Sequence, residues 1–356
     1  MTLPLRTHRR WEVRQGDCLA VLGRLDTSTI DTVITDPPYG IGIADWDSPR
    51  KLDPARSPGR RSRTPQSVAY RRFTEQWGRE CLRVLEPGAH VAAFSATRAI
   101  HLLSSGLEDA GFEIRDMLLW LHGQGFPASR QLGRGLGTAL RPAVEPIVLA
   151  RKPVEGVLQR NLEKHGTGAL NIDACRSGRP SHLSRRPGSA SHLGRWPTNV
   201  IVSHAHSCTA LTCREGCPVE MLGGHSRLFF CAKPSRRQRE AGCERLPRRV
   251  TQTFKLSAAE QRAAEANPVA NIHPTVKPLD LMRWLTRLLT PPPGAEAGTS
   301  AGQPIVLDPF AGSGTTGAAI VLEGRRFLGI ERERSYVPIA KARIAYWARS
   351  AEGRRR

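Results

Sequence analysis

The sequence predicts an α/β fold built on a mostly parallel sheet, with a loop-rich insertion in its second third. Three observations predict it. Short apolar runs alternate with helical stretches, the pattern of parallel strands joined by crossover helices. Residues 305–317, IVLDPFAGSGTTG, carry a strand straight into a glycine turn and then a helix. Residues 34–40, ITDPPYG, end a second apolar strand in a turn stiffened by two prolines.

Taken in order, residues 10–16 (RWEVRQG) read as a strand, and Asp17 can cap a short helix through Leu25, with Leu19, Leu22 and Leu25 at helical spacing. Residues 30–35 (IDTVIT) read as a buried strand that breaks at Pro37-Pro38. The Pro-, Ser- and Arg-rich text from Trp46 to Ser67 predicts a mobile basic loop. A helix (70–85), a strand (89–95), a helix (97–109) and a strand (112–120) follow. From Leu121 to Pro268 only short strand candidates appear, at 144–150, 198–203 and 227–232, among Gly-, Arg-, His- and Cys-rich text, so this stretch reads as an accessory insertion. Order returns with LDLMRWLTRLL (279–289), whose Leu281, Leu285 and Leu288 share one helical face. After a loop at 291–304 come the strand at 305–310, a helix to Glu323, the strand RFLGIE (326–331) and a helix from Ser335. No tandem repeat is present.

Composition narrows the function. Of 356 residues, 53 are Lys or Arg and 32 are Asp or Glu, a net charge of +21 that favours a polyanionic partner, nucleic acid first. Arginine-rich coding bias is the plain alternative. No apolar run approaches the roughly 18 residues of a membrane span, and the start lacks the apolar stretch of a secretory signal. Eight cysteines in a chain this long are not a disulfide scaffold. The expectation is a soluble, cytoplasmic, reduced protein.

Two turns carry the chemistry. Glycines at 312, 314 and 317 let backbone approach a ligand, and the following helix offers free N–H groups. Glu331, nineteen residues past Gly312, ends the next strand, where a carboxylate can accept both ribose hydroxyls of a nucleoside. The spacing is also that of a dinucleotide site, which leaves an NAD(P)-dependent oxidoreductase open, as well as a strand–helix turn with no ligand. At the other turn, two prolines remove N–H donors, so Asp36 and the Pro37 carbonyl present only acceptors beside the Tyr39 ring. Such a notch suits a flat group that donates two hydrogen bonds, such as the exocyclic amino group of a nucleobase, with Tyr39 stacking on its ring. An ordinary Pro-Pro turn is the alternative.

With GDCLAVLGRL (16–25) and DPPY early, HPTVKP (273–278) before the glycine turn and FAGSG last, the chain resembles the amino-methyltransferases of DNA in their permuted, β-class arrangement. Its middle, through LHGQGFPASR, VEPIVLARKP, HGTGALNIDACR and GRWPTNV, resembles methylases carried by phages and prophages. The resemblance implies a Rossmann-like S-adenosylmethionine-dependent methyltransferase fold with helices on both faces of the sheet. It implies a catalytic half at 10–120, a target-recognition region at 121–268, a cofactor half at 269–348 and a basic tail at 349–356. It carries catalytic roles to Asp36, Pro37, Pro38 and Tyr39. It carries cofactor roles to Asp17, Thr275, Lys277, Asp308, Phe310, Ala311, Gly312, Ser313, Gly314, Thr315 and Glu331, with Thr275 and Lys277 toward the methionine carboxylate. For Asp17 a helix cap, and for Lys277 a solvated charge, are the alternative readings. The implied activity is direct methyl transfer to a flipped-out base of double-stranded DNA. Asp in the first motif position leans to adenine N6; cytosine N4 is the runner-up, and a catalytically inactive DNA-binding module a third reading. A homodimer and a cognate restriction enzyme are left open as further partners.

His204, His206, Cys208, Cys213, Cys217 and His225 fall within a short span, and Cys208, Cys213, Cys217 and His225 are candidate ligands of a structural zinc. Their spacings are C-x4-C and C-x3-C, without the usual C-x-x-C. Arg-rich stretches at 50–63, 175–195, 236–249 and 352–356 are expected either to contact DNA phosphates or to be solvated loops.

Overall fold

The structure, a computed structural model, describes residues 10–41, 45–47, 66–122, 131–140, 142–176, 196–202, 217, 229–230, 234–250, 267–292 and 303–353. Strands β1 (Trp11–Gln15), β2 (Ile30–Thr35), β3 (Leu85–Phe94), β4 (Glu113–Leu121), β7 (Val144–Arg151), β8 (Val200–Val202), β9 (Phe229–Phe230), β10 (Ile305–Asp308) and β11 (Arg326–Glu331) form one sheet. Its order is β1-β11-β10-β2-β3-β7-β4-β8-β9. A separate hairpin pairs β5 (Gln131–Gly133) with β6 (Leu136–Gly137). Among the described residues of the large sheet only β7 runs antiparallel to its neighbours, β3 and β4; the other pairings are parallel.

All six residues of β2 are buried, as a strand covered on both faces requires. The cover is two separate cores. On one face Ile34, Phe94, Ile147, Val306 and Phe327 pack under α6 (Leu279–Leu289), α7 (Thr315–Leu322) and α8 (Val337–Gly353). On the other, Val33, Val91, Val148, Leu307 and Ile330 pack under α1 (Cys18–Leu22), α2 (Gln66–Val84) and α3 (Ile100–Asp109). Neighbours Val33 and Ile34, or Ile147 and Val148, point to opposite cores, the period-2 alternation of a strand. The remaining helices among the described residues are α4 (Leu158–His165) and α5 (Arg236–Glu240).

Two sequence readings change here. The stretch 121–268, expected as an accessory insertion, supplies three strands of the main sheet, and β7 lies in its middle. The isolated apolar run VEPIVLA gave no sign of which strands flank it. The stretch from Trp46, expected as a mobile loop, begins in a short 3-10 turn, Asp45–Asp47, in which Asp47 is buried and accepts hydrogen bonds from the N–H groups of Gly40 (2.7 Å) and Ile41 (3.2 Å). The rest of that stretch, up to residue 65, lies outside the described residues.

The permuted chain order has a direct spatial result. The last two strands, β10 and β11, slot between the first two, β1 and β2. The ends of four adjacent parallel strands therefore carry Asp17, Glu331, Asp308 and Asp36 side by side.

Candidate active site

Beyond those four strand ends lies a cavity shared by residues 36–39 and 308–313. Every expected catalytic and cofactor residue lines it except Gly314, whose φ of +74° starts α7; a Cβ at that position would sit 2.8 Å from the Cα of Ala340. Adjacent turns are tied directly: the Thr35 hydroxyl donates to Asp308 Oδ1 at 2.7 Å, and the Phe310 N–H donates to the same oxygen at 3.1 Å. Burial pushes the Asp308 carboxyl up to about 6, against those hydrogen bonds.

Glu331 is almost fully buried, and its two oxygens accept from the backbone N–H groups of Gly312 and Glu333, each at 2.7 Å. Burial outweighs these bonds and raises its carboxyl to about 7. Asp17 keeps its capping role: Oδ1 accepts from the N–H groups of Leu19 (3.0 Å) and Ala20 (3.3 Å). It also lines the cavity, so the capping and ligand-facing readings are compatible. Phe310 packs edge-on to Trp77 and tilted against Phe73.

At the Asp36 end, the Tyr39 hydroxyl donates to Asp36 Oδ1 at 2.5 Å, which turns the Tyr39 ring toward the carboxylate. Lys277 is buried. Its Nζ donates to Asp36 Oδ2 at 2.6 Å and lies 3.1 Å from Glu145 Oε2, 3.3 Å from the Tyr39 hydroxyl and 4.9 Å from the Phe94 ring centre. Burial would lower the Lys277 pKa, but the Asp36 and Glu145 carboxylates together hold it above the usual lysine value. The solvated reading of Lys277 is therefore replaced by a buried charge between two acids.

Several lining residues were not picked out in the sequence. His273 opens the HPTVKP stretch, stacks on Trp46, meets Tyr336 edge-on, and fixes its Nδ1–H on the Thr275 carbonyl at 2.7 Å. Burial lowers its pKa to about 4, so the ring is neutral, with Nε2 toward Gly312. Its place beside Thr275 and Lys277 was the available signal. Trp46, Phe73 and Tyr336 carried none, because their approach to the cavity depends on tertiary packing. Of the zinc candidates, only Cys217 is among the described residues, where it is buried. Cys208, Cys213 and His225 lie outside them. Among the described residues no cluster of His, Cys, Asp and Glu suits a metal ion. No described helix is long and apolar enough to cross a membrane.

A mostly parallel sheet with its single reversed strand, cofactor-type glycine turn and acid-Pro-Pro-Tyr turn at adjacent strand ends defines a Rossmann-like S-adenosylmethionine-dependent methyltransferase. The chain belongs to the DNA methylase family N6_N4_Mtase, whose model matches residues 30–342. It is 25% identical to the type II methyltransferase M.HindIII of Haemophilus influenzae, over 93% of this chain and 94% of that protein. A local match of 44% identity to M2.DpnII of Streptococcus pneumoniae covers 21% of this chain and 24% of that one. Among solved structures, PvuII DNA methyltransferase (cytosine-N4-specific) shares the fold with a TM-score of 0.54 at 15% identity, covering 97% of this chain and 94% of that one. The protein is thus a DNA methyltransferase whose methyl donor is S-adenosylmethionine. That membership displaces the dinucleotide reading of the glycine turn.

Proposed function

We propose that this protein methylates the N6 amino group of adenine in double-stranded DNA, at a base turned out of the helix into the cavity beside Asp36. The observation that carries the reading is the shared cavity of residues 36–39 and 308–313, with Thr35 hydrogen-bonded to Asp308 at its floor. A base edge and a donor held at the two turns would meet without either strand moving.

The residues fit the cofactor by chemistry. Gly312, at φ +50°, leaves room that a Cβ would fill, 2.6 Å from His273 Nε2. Asp17 and Glu331 offer acceptors for the adenine amino group and the ribose hydroxyls. Ser313, Thr315 and the N-terminus of α7 offer donors for the methionine carboxylate. The preponderance of carboxylates around the cavity suits a ligand bearing sulfonium and ammonium charges. When bound, S-adenosylmethionine supplies a methyl group made electrophilic by its sulfonium.

The chain's own residues do the rest. The lone pair of a base amino group is delocalised into its ring. Asp36 and the Pro37 carbonyl accept its two N–H bonds, which favours a more tetrahedral nitrogen and aims the lone pair outward. Each Asp36 oxygen has a further lone pair beyond the bonds to Tyr39 and Lys277, so the amino group can add to this network. Positioning then accounts for much of the rate. The proton leaves to Asp36 or to water once the nitrogen becomes cationic. In-line transfer needs no covalent enzyme intermediate, so no nucleophilic cysteine is required.

Asp rather than Ser at the first motif position supports adenine. The fold shared with a cytosine-N4-specific enzyme makes cytosine N4 the second reading. Strands β8 and β9 and the chain around them are assigned to target recognition, and the relatives' type II character suggests a cognate restriction enzyme. A homodimer acting in the cytoplasm remains part of the proposal. The deciding experiment incubates the protein with DNA and S-adenosylmethionine and digests the product to nucleosides for mass analysis. N6-methyladenine is expected, N4-methylcytosine selects the second reading, and neither base overturns both.

A further inference from the structure

Arg343 is fully buried in α8; among the described residues no carboxylate forms an ion pair with it, and the Glu240 carboxylate acts on it only through space. Burying a guanidinium without a directly paired carboxylate is costly, and burial does lower the Arg343 pKa, so a fold has little reason of stability alone to place one there. Its contacts are specific. Nη1 donates to the Ser313 carbonyl (2.7 Å), the Ser313 hydroxyl (3.1 Å) and the Thr315 hydroxyl (2.9 Å); Nη2 donates to the Gln238 carbonyl (3.3 Å). One side chain thus joins the glycine turn to α5, a helix from the stretch between the two halves of the chain.

That helix is itself fastened to the other wall of the cavity. Arg239 Nη2 donates to the His273 carbonyl (3.4 Å), the Asn271 side-chain amide donates to the Arg239 carbonyl (2.8 Å), and Glu240 accepts from the N–H groups of Ala270 and Asn271. Gly242 sits so close to α8 that a Cβ would come within 2.6 Å of the Ala342 carbonyl oxygen. In the Arg-rich 236–249 stretch, read from sequence as phosphate-binding or solvated, Arg236, Arg237, Arg245, Arg248 and Arg249 are exposed, while Gln238, Arg239 and Glu240 make the inward contacts.

We propose that Arg343 is a positioning residue for cofactor binding: it fixes Ser313 and Thr315 against α5, and α5 in turn fixes the backbone of the His273 stretch, so that both walls of the cofactor cavity are set by one clasp. The inference rests on the reading of residues 310–315 as the cofactor loop. Arg343 touches neither substrate nor cofactor in this account. The clasp acts before chemistry, so its loss weakens cofactor binding and leaves the transfer step intact.

The test compares Arg343→Lys and Arg343→Met with the wild-type full chain. Equilibrium dialysis gives the Kd for S-adenosylmethionine, steady-state assays give KM for cofactor and DNA, and thermal melts report folding. Losing four hydrogen bonds from a charged donor, three of them to the glycine turn, should raise the cofactor Kd about 10-fold or more in the Met variant. The Lys variant, which retains the charge and some donors, should recover part of that. The KM for DNA and kcat at saturating cofactor should stay unchanged. An unaltered cofactor Kd in the Lys variant, or a matching loss in the DNA KM, overturns the proposal, and if the Met variant does not fold the Lys variant decides. Glu331→Ala is the control. If it loses cofactor while both Arg343 variants keep it, only the clasp falls; if all three keep it, the cofactor-loop reading falls and takes the clasp with it.

Discussion

Lys277 Nζ lies 2.6 Å from Asp36 Oδ2, joining residues 241 positions apart and placing a buried ammonium on the carboxylate of the Asp-Pro-Pro-Tyr turn. Glu145, from the reversed strand β7, completes the set at 3.1 Å. The carboxylate is thereby held in one orientation by Lys277 on one oxygen and Tyr39 on the other.

Asp36→Ala removes the acceptor proposed for the base amino group and leaves the glycine turn untouched. Methyl transfer should fall by about 10²–10⁴-fold, while S-adenosylmethionine binding persists. Transfer of labelled methyl to DNA, paired with cofactor dialysis, checks both. Wild-type rates from the Ala variant would remove Asp36 from the mechanism.

Lys277→Met leaves the Asp36 and Glu145 carboxylates facing each other. The two acids keep some solvent contact, so the cost should be about 1–3 kcal/mol, below that of breaking a wholly buried pair. Because the Lys277 pKa is raised in the fold, its contribution is complete below the ordinary value of 10.5 and is lost as pH climbs through the raised one. The stability gap between wild type and variant in urea melts should therefore be flat from neutral pH to about 10 and close above that. A gap already closing near neutrality would contradict the assignment.

Glu331 titrates at about 7 instead of the ordinary 4.5. Its ionised form accepts best from ribose hydroxyls, so the free protein must shed a proton to bind cofactor below neutrality. The Kd should tighten about tenfold from pH 6 to pH 8 and then level off. For folding the sign is opposite: this raised acid makes the protein less stable as pH rises from 4.5 to 7. A pH-independent Kd would count against Glu331 as the ribose acceptor.

Gly312→Ala puts a methyl group 2.6 Å from His273 Nε2 at a backbone φ of +50°. The left-handed conformation costs about 1–2 kcal/mol, and either His273 or the turn must move. Cofactor binding should weaken more than DNA binding. Equal affinities for cofactor in wild type and variant would show that the close approach at Gly312 has no part in the site.

The parts that sequence made legible are local. The period of β2, the cap at Asp17, the prolines after Asp36 and the glycines before α7 each act within a few residues, and each lies where its chemistry places it. Trp46, read as part of a basic loop, instead reaches His273 and donates to the Tyr336 hydroxyl at 3.3 Å, a partner 290 residues away that no local pattern announces. The strand at 144–151 was visible as a strand, but its reversed place between β3 and β4 was not.

From its letters alone, the chain specified an α/β sheet, two turns at strand ends and a net positive charge, since hydrophobic period, proline, glycine and net charge are properties of neighbours or of the whole composition. Strand order was decided only by tertiary packing, and with it the meeting of Asp36 with Lys277, of Arg343 with Ser313, and of Glu331 with Gly312. Those contacts arise when crossover connections return distant segments to adjacent strand ends, and the energy that selects one arrangement comes from burying two opposite faces at once.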